Sequence, residues 1–315
     1  MLESADFKAD SFLWNILEDL KMVSLLIPTV AQGLLWALMA LGVYVTFRVL
    51  DIADLTVEGS FPMGAATAAA MMAAGYGPFT ALLGAFIAGM LAGIITGILN
   101  TKMKIPALLA GILTMIALYS VNLRIMGKAN LSLLGVDTTF KLAKNILDLS
   151  MAQTTLVVGL AVTVIVGSFL YWFFGTQIGA AIRATGFNQQ MIRAQGVDTD
   201  VTIILGLLLS NGLVAVSGAL VAQSNGFADV GMGTGTIVIG LASVIIGEVL
   251  FGTRSFKNCL ISVVLGSIVY RIVIALVLAM GMPPNDLKLF TSVLVAIALS
   301  MPLIKSKIGG RKAVR

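Results

Sequence analysis

Apolar stretches long enough to cross a bilayer alternate with short polar connectors along most of this chain. Runs near 25 to 47, 60 to 74, 79 to 100, 106 to 126, 152 to 174, 201 to 222, 236 to 252, 259 to 280 and 287 to 304 predict about nine transmembrane helices. The second and seventh are short for a hydrocarbon layer of about 30 Å. Ahead of them, Asp10 to Lys21 reads as an amphipathic helix with Phe12, Leu13, Ile16, Leu17 and Leu20 on one stripe. Such a stripe lies in the membrane interface or packs on the bundle. The fold expected is an all-α polytopic membrane protein: an N-terminal amphipathic segment at 1–24, a transmembrane domain at 25–304 and a basic tail at 305–315.

The polar loop at 175–200, GTQIGAAIRATGFNQQMIRAQGVDTD, breaks the apolar pattern with ordered punctuation. Gly186 is a stop signal for what precedes it, Asn188 an N-cap and Gly196 a left-handed C-terminal residue. About two helical turns fit between the caps. Phe187 and Ile192 then occupy the positions of a hydrophobic staple. Phe187 and Met191, four apart, form an apolar knob between Arg183 and Arg193, as in a helix inserted into a partner's groove. The alternative is a capped loop helix packing back on its own bundle.

Small residues and a repeat organise the spans. Ala85, Gly89, Gly93 and Gly97 recur every four residues, a ridge for close helix packing. Met63-Gly64, the turn at Gly75 to Pro78, a Gly-rich span and Pro106 find a weak echo in Ile239-Gly240, Gly252 to Arg254, a span with Gly266, and Pro283-Pro284. The alternating crossings make these copies inverted, which puts a pathway at their interface near the midplane. The segment 127–150 is polar enough to lie outside, with no assignable structure.

Composition sharpens this picture. At 315 residues, 58% hydrophobic, 11% charged and a mean hydropathy of +1.02, the chain is no soluble globule. With the N-terminus outside, twelve basic residues fall on the cytoplasmic side: Arg48, Lys102, Lys104, Arg183, Arg193, Arg254, Lys257, Lys305, Lys307, Arg311, Lys312 and Arg315. Seven fall outside: Lys8, Lys21, Arg124, Lys128, Lys141, Lys144 and Lys288. That asymmetry predicts N-out, C-in and a cytoplasmic loop at 175–200. No cleaved leader is expected from MLESADFKAD. The lone Cys259 excludes an intrachain disulfide, and the absence of histidine leaves few groups for proton relay.

The chemistry-bearing residues cluster in irregular stretches ahead of the two short spans. Asp54, Glu58 and Asp229, with the glycines at 231 to 235, sit where backbone must be buried in protein, line a cavity or lie at the interface. They are candidates for the translocation path; the plainer alternative is capping of the helices that follow. Glu248 and Arg271 are costly alone in hydrocarbon, about 2.5 to 3.5 kcal/mol each, and their adjacent helices suggest a mutual pair. Gln32, Tyr119, Asn122 and Asn211 would face a cavity or join helices. No GxxxxGK[ST] loop, metal-spaced cluster, nucleophile with base or nucleic-acid face is present. ATP, if used, binds elsewhere.

The runs FRVLDIADLTVEGSFPMGAATAAAMMAAG and NTKMKIPALLAGILTMIALYSVNLRIMG, with the loop GAAIRATGFNQQMIRAQGVDT, resemble permease subunits of ABC importers. The superfamily is that of the branched-chain amino acid and ribose permeases, and the tryptophan/tyrosine-type subgroup is the nearest likeness. The resemblance covers roughly residues 25 to 304. It implies a non-enzymatic transport subunit in the bacterial cytoplasmic membrane, dimeric and without its own cofactor. Two cytoplasmic ATPase subunits would hold ATP and Mg, and an extracytoplasmic binding protein would deliver a small polar solute, an aromatic or branched-chain amino acid. Coupling to the ATPases is implied at Arg183, Phe187, Asn188, Met191, Ile192 and Arg193. An ion-coupled secondary transporter is the competing expectation, since it too uses inverted repeats and broken helices.

Overall fold

The computed structural model describes residues 25–283, 286, 289–293, 295, 296 and 300. The amphipathic segment at 1–24 and the tail at 305–315 lie outside the described residues. In chain order come α1 (Leu25–Val49), α2 (Val57–Ala73), α3 (Pro78–Thr101), α4 (Ala107–Met126), β1 (Asn130–Ser132) and α5 (Thr139–Leu147). Then follow α6 (Met151–Phe174), α7 (Gln177–Phe187), α8 (Gln189–Ala194), α9 (Thr199–Asn225), β2 (Phe227–Asp229), a 3-10 turn (Val230–Gly233), α10 (Thr236–Phe251) and α11 (Phe256–Ala279).

Seven helices among the described residues are long and apolar enough to cross a membrane, the last turn and α10 counting together as Val230–Phe251. The expected count of nine is not matched. The second expected span is α2, only 17 residues long, and most of the ninth lies outside the described residues.

α9 is the central post, and it is buried nearly all round, as an apolar helix with small residues on every face must be. The α3 ridge meets it along its length. A Cβ on Gly89 or Gly93 would overlap the carbonyls of Asn211 and Leu207, and one on Gly97 would lie 2.9 Å from Ile204 Cγ1. These glycines let two backbones touch, as the four-residue spacing predicts. On another side α1 runs antiparallel to α9, with Ser210 Oγ donating to the Gly42 carbonyl and Ser217 Oγ to that of Leu35, at 2.8 and 2.7 Å. Gln32 Nε2 donates to Ser224 Oγ at 3.1 Å, so it joins helices.

The segment 127–150 acquires structure only through its neighbours. β1 pairs antiparallel with β2, Asn130 opposite Asp229. α5 is capped by Thr138 and buries Phe140, while Gln223 Oε1 accepts from Thr139 N at 2.8 Å. Neither strand is legible locally, because each is three residues long and its partner lies far along the chain.

At the opposite end the basic residues gather. Arg48 pairs with Glu248 across α1 and α10, while Lys102 and Arg193 both reach Asp200. Arg183 lies over the Phe256 ring at 5.0 Å, and Arg48, Arg183 and Arg254 border one cavity of about 1060 Å³. The described bases assigned to the inside therefore share one end. Arg124 closes α4, and Lys141 and Lys144 lie in α5, at the other end.

The polar loop is more helical than its punctuation suggests. An 11-residue α7 precedes the short helix, and Gly186 is not its stop. Gly186 lies within α7, where a Cβ would overlap the Val49 carbonyl; it permits close contact with α1. Asn188 does cap α8, its Oδ1 accepting from Met191 N at 3.0 Å. Gly196 has φ +84 and closes the helix. The staple does not form, since Phe187 is 95% exposed whereas Ile192 is 5% exposed and anchors α8 to the bundle.

Candidate functional site

Two helices in this bundle begin inside it. With a rise of about 1.5 Å per residue, Asn211 lies near the middle of the 27-residue α9. Asp54, just before α2, accepts from Asn211 Nδ2 at 2.7 Å, so α2 starts at mid-height. From there it climbs alongside α9 toward the β1–β2 end, its alanines packing with Ala219, Ala222 and Ala228. After α9 the chain turns back through β2 and the 3-10 turn, and α10 starts beside Glu58. It then descends to the basic end, where Glu248 meets Arg48. The two half-helices point in opposite directions from neighbouring starts.

Each start satisfies its exposed backbone N–H groups differently. Asp54 Oδ1 accepts from Thr56 N at 2.9 Å, and Oδ2 from Asn211, whose own Oδ1 accepts from Ser60 Oγ at 2.7 Å. Asp54 and Asn211 are buried, at 3% and 0% exposed, and they stitch α2 to α9. Thr56, Thr96 and Thr114 continue that stitching into α3 and α4 through bonds of 2.8 and 2.9 Å. Glu58 reaches across instead, its Oε1 accepting from Gly235 N at the start of α10, at 3.0 Å. Asp229 caps the 3-10 turn through Gly231 N at 2.7 Å and also accepts from Asn130 Nδ2 at 3.3 Å. Pro62 explains why this approach is so close. It has no N–H for the Glu58 carbonyl, and Gly233 packs so near that carbonyl that a Cβ would overlap it.

Beside this junction lies a cavity of about 420 Å³ lined by Glu58 and Pro62 of α2, Tyr119 and Asn122 of α4, and Thr234. Tyr119 is 54% exposed; Asn122 is fully buried. Asn122 Nδ2 donates to the Gly59 carbonyl at 3.3 Å, while its Oδ1 has no partner among the described residues. Of the eight residues expected near a path, Glu58, Tyr119 and Asn122 share this cavity. Asp54 and Asn211 are fastened into helix packing, and Asp229 is a cap.

Glu248 and Arg271 do not pair. Glu248 takes Arg48, a residue 200 positions away that no helix-adjacency argument selects. Arg271 lies with its Cζ 4.0 Å from the Trp36 ring centroid, and its Nε and Nη2 have no partner among the described residues. The two are separated along neighbouring antiparallel helices: Glu248 lies at the basic end of α10, and Arg271 lies more than half-way along α11 from that end. The ring face supplies part of what the guanidinium loses in leaving water.

At the basic end, Phe187 and Met191 project from α7 and α8, at 95% and 47% exposed. Arg193 donates to Thr199 Oγ1 and Asp200, tying α8 to the first turn of α9. Arg183 is held over Phe256. Arg193 braces α8 and Arg183 packs α7 against α11, while Phe187 and Met191 stay exposed among the described residues.

Residues 25–300 match the family described as branched-chain amino acid transport system / permease component. A tyrosine transport system permease protein of Clostridioides difficile is 40% identical over 275 residues, covering 87% of this chain and 90% of that one. An uncharacterized protein of Rickettsia prowazekii is 35% identical, covering 88% of this chain and 98% of its own. The galactofuranose transporter permease protein of Escherichia coli is 30% identical, covering 92% and 83%. With a family match across nearly the whole membrane domain and a relative at 40% identity, this chain belongs to the branched-chain amino acid transport system permease family of ABC transporters.

Proposed function

We propose that this chain is the transmembrane subunit of an ATP-driven importer for an amino acid, with an aromatic amino acid as the first candidate. The observation that carries the proposal is the short capped helix α8, braced to the basic end with Phe187 and Met191 exposed. An apolar tip on a rigid six-residue helix suits a groove in a separate ATPase subunit. Two such subunits, holding ATP and Mg, would act on a dimer of this chain, with an extracytoplasmic binding protein feeding the other face. The tyrosine permease relative supports the solute class.

The basic end is assigned to the cytoplasm of a bacterial cell, with the N-terminus outside and the C-terminus inside. In its favour, seven described bases lie at that end (Arg48, Lys102, Lys104, Arg183, Arg193, Arg254 and Lys257). In the mechanism, closure of the ATPases around ATP moves α8, and α7 carries that movement to α1 through the Gly186–Val49 contact. From α1 it passes through Arg48 to Glu248 on α10. The half-helix junction thus has a continuous path of packed elements to the ATPase face. Work is done only if ATP binds one of two bundle states in preference.

The test is reconstitution of the full permease with candidate ATPase subunits of ABC importers, comparing wild type with a Phe187→Asp, Met191→Asp double variant. Complex formation and coupled ATP hydrolysis should both fall by at least about tenfold while the variant keeps its thermal stability. Unchanged coupling would remove α8 from the mechanism. Failure of the native chain to bind any ATPase, with uptake following an ion gradient, would establish the secondary transporter instead.

A further inference from the structure

The cavity at the half-helix junction carries the hydroxyls of Tyr119, Ser120 and Thr234 but no cationic donor for its acidic group. Glu58 uses Oε1 on Gly235 N, while its second oxygen has no protein partner among the described residues. Asn122 is wholly buried, yet its Oδ1 is an unpaired acceptor, which is expensive in a site where the protein supplies no substitute. No Lys or Arg lines the cavity. Tyr119 adds an exposed aromatic face, and Pro62 and Ile116 an apolar wall. A carboxylate, a lone amide oxygen and a π-face, with no basic side chain beside them, favour a compact cation with several N–H groups, and the Ser120 and Thr234 hydroxyls can accept from it as well.

We infer that this cavity binds the primary ammonium group of an amino-acid solute at Glu58 and Asn122, with the solute's side chain against Tyr119 and Pro62. The inference rests on the amino-acid importer proposed above and assigns its recognition site. An ammonium can donate to Glu58, to a further acceptor such as the Thr234 or Ser120 hydroxyl and, once the buried Asn122 side chain shifts toward the cavity, to its Oδ1. A solute carboxylate is directed away from Glu58 by like charge, so the site fixes orientation as well as class. The place is mechanically apt. Glu58 belongs to α2 yet caps α10, so an ammonium drawing on its charge acts on both half-helices at once.

The experiment is equilibrium binding of radiolabelled L-tyrosine to the purified full-length permease in lipid nanodiscs. Competitors are tyramine, which keeps the amine and lacks the carboxylate, and 3-(4-hydroxyphenyl)propanoate, which does the reverse. Tyramine should compete, and the propanoate should not. Glu58→Gln, which keeps an acceptor for Gly235 N, should weaken binding about tenfold or more, as expected when a charge-assisted bond is lost. Tyr119→Ala, at an exposed position, should weaken it severalfold and keeps the test decisive if the Glu58 variant misfolds. Equal competition by both analogues, wild-type binding in Glu58→Gln, or no tyrosine binding at millimolar concentration would each overturn the site. Complex formation with the ATPase, read on the same preparation, separates the two proposals. Coupled hydrolysis without amine-dependent binding sinks the ammonium site alone, and amine-dependent binding without ATPase association sinks the importer alone.

Discussion

The connectors that launch the two half-helices solve one problem in opposite ways. Residues 50–56 lead into α2 and end in a buried anchor: Asp54 accepts from Thr56 N, just ahead of the helix, and is clamped by Asn211 of the central post. Residues 226–235 lead into α10 through a strand, a 3-10 turn and four glycines, and the helix start borrows its acceptor from Glu58 of α2. The first start is fused to α9; the second is bridged by a half-buried carboxylate beside a cavity. Two oppositely directed half-helices thus start side by side with unequal fastening. The surrounding contacts agree. Gly64 of α2 meets the backbone of Ala215, whereas Gly240 of α10 meets only the side chains of Val43 and Met39.

That contrast is most sharply tested by filling the two glycines. Gly64→Ala should destabilise the bundle by about 3 kcal/mol, because the Ala215 backbone cannot retreat from a Cβ. Gly240→Ala should cost about 1 to 2 kcal/mol, since a Cβ there lies 2.8 Å from a methyl of the β-branched Val43, which keeps one rotamer in a helix, and 2.9 Å from Met39 Sδ, which can turn. Thermal unfolding in detergent reads both, and equal losses would erase the distinction between a fused and a bridged half-helix.

Next comes the anchor of the fixed start. Asp54→Ala strands Thr56 N and removes one acceptor of Asn211, for an expected loss of about 2 kcal/mol. Asp229→Ala, which removes a cap at the bridged start, should cost about 1 kcal/mol by the same assay. The threonine stitching is weaker. Thr96→Val breaks both the Thr56 and Thr114 links, and membrane hydrogen bonds of about 0.6 kcal/mol each put the loss near about 1 kcal/mol. Smallest is Arg48→Ala. Arg48 is 47% exposed, so its pair with Glu248 should contribute about 0.5 kcal/mol and fade with added salt. A larger, salt-insensitive loss would make that pair part of the fixed framework.

Much of the candidate site was legible as residue types in sequence, but not as a set. Asp54 and Glu58 stand out because carboxylates next to a short apolar span are unusual, yet nothing local says that one is sealed and the other faces a cavity. Asn188 and Gly196 could be placed correctly because caps depend on a few neighbouring dihedrals. Gly186 misled for the same reason: a glycine that permits αL and a glycine that permits contact look identical until Val49 is brought against it. The Thr56–Thr96–Thr114 chain escaped notice because its members lie on three helices. The spacing of Thr96 and Thr114 on spans rich in small residues was the only signal that could have raised it. The expected Glu248–Arg271 pair failed because adjacency of helices does not fix height in the membrane, and Glu248 sits at the end where Arg48 arrives.

The sequence by itself determined the membrane class, the closely packing α3 ridge, the polarity of the two ends and the cap positions of α8. Each follows from composition, helical period or local backbone preference, quantities that survive without knowledge of distant contacts. Tertiary structure alone decided that α2 and α10 start inside the bundle, that β1 finds β2, and that Glu58 of α2 serves the start of α10. Those outcomes depend on which backbones can approach within van der Waals distance and at what height, and pairings across 99, 157 and 177 residues carry no local signal.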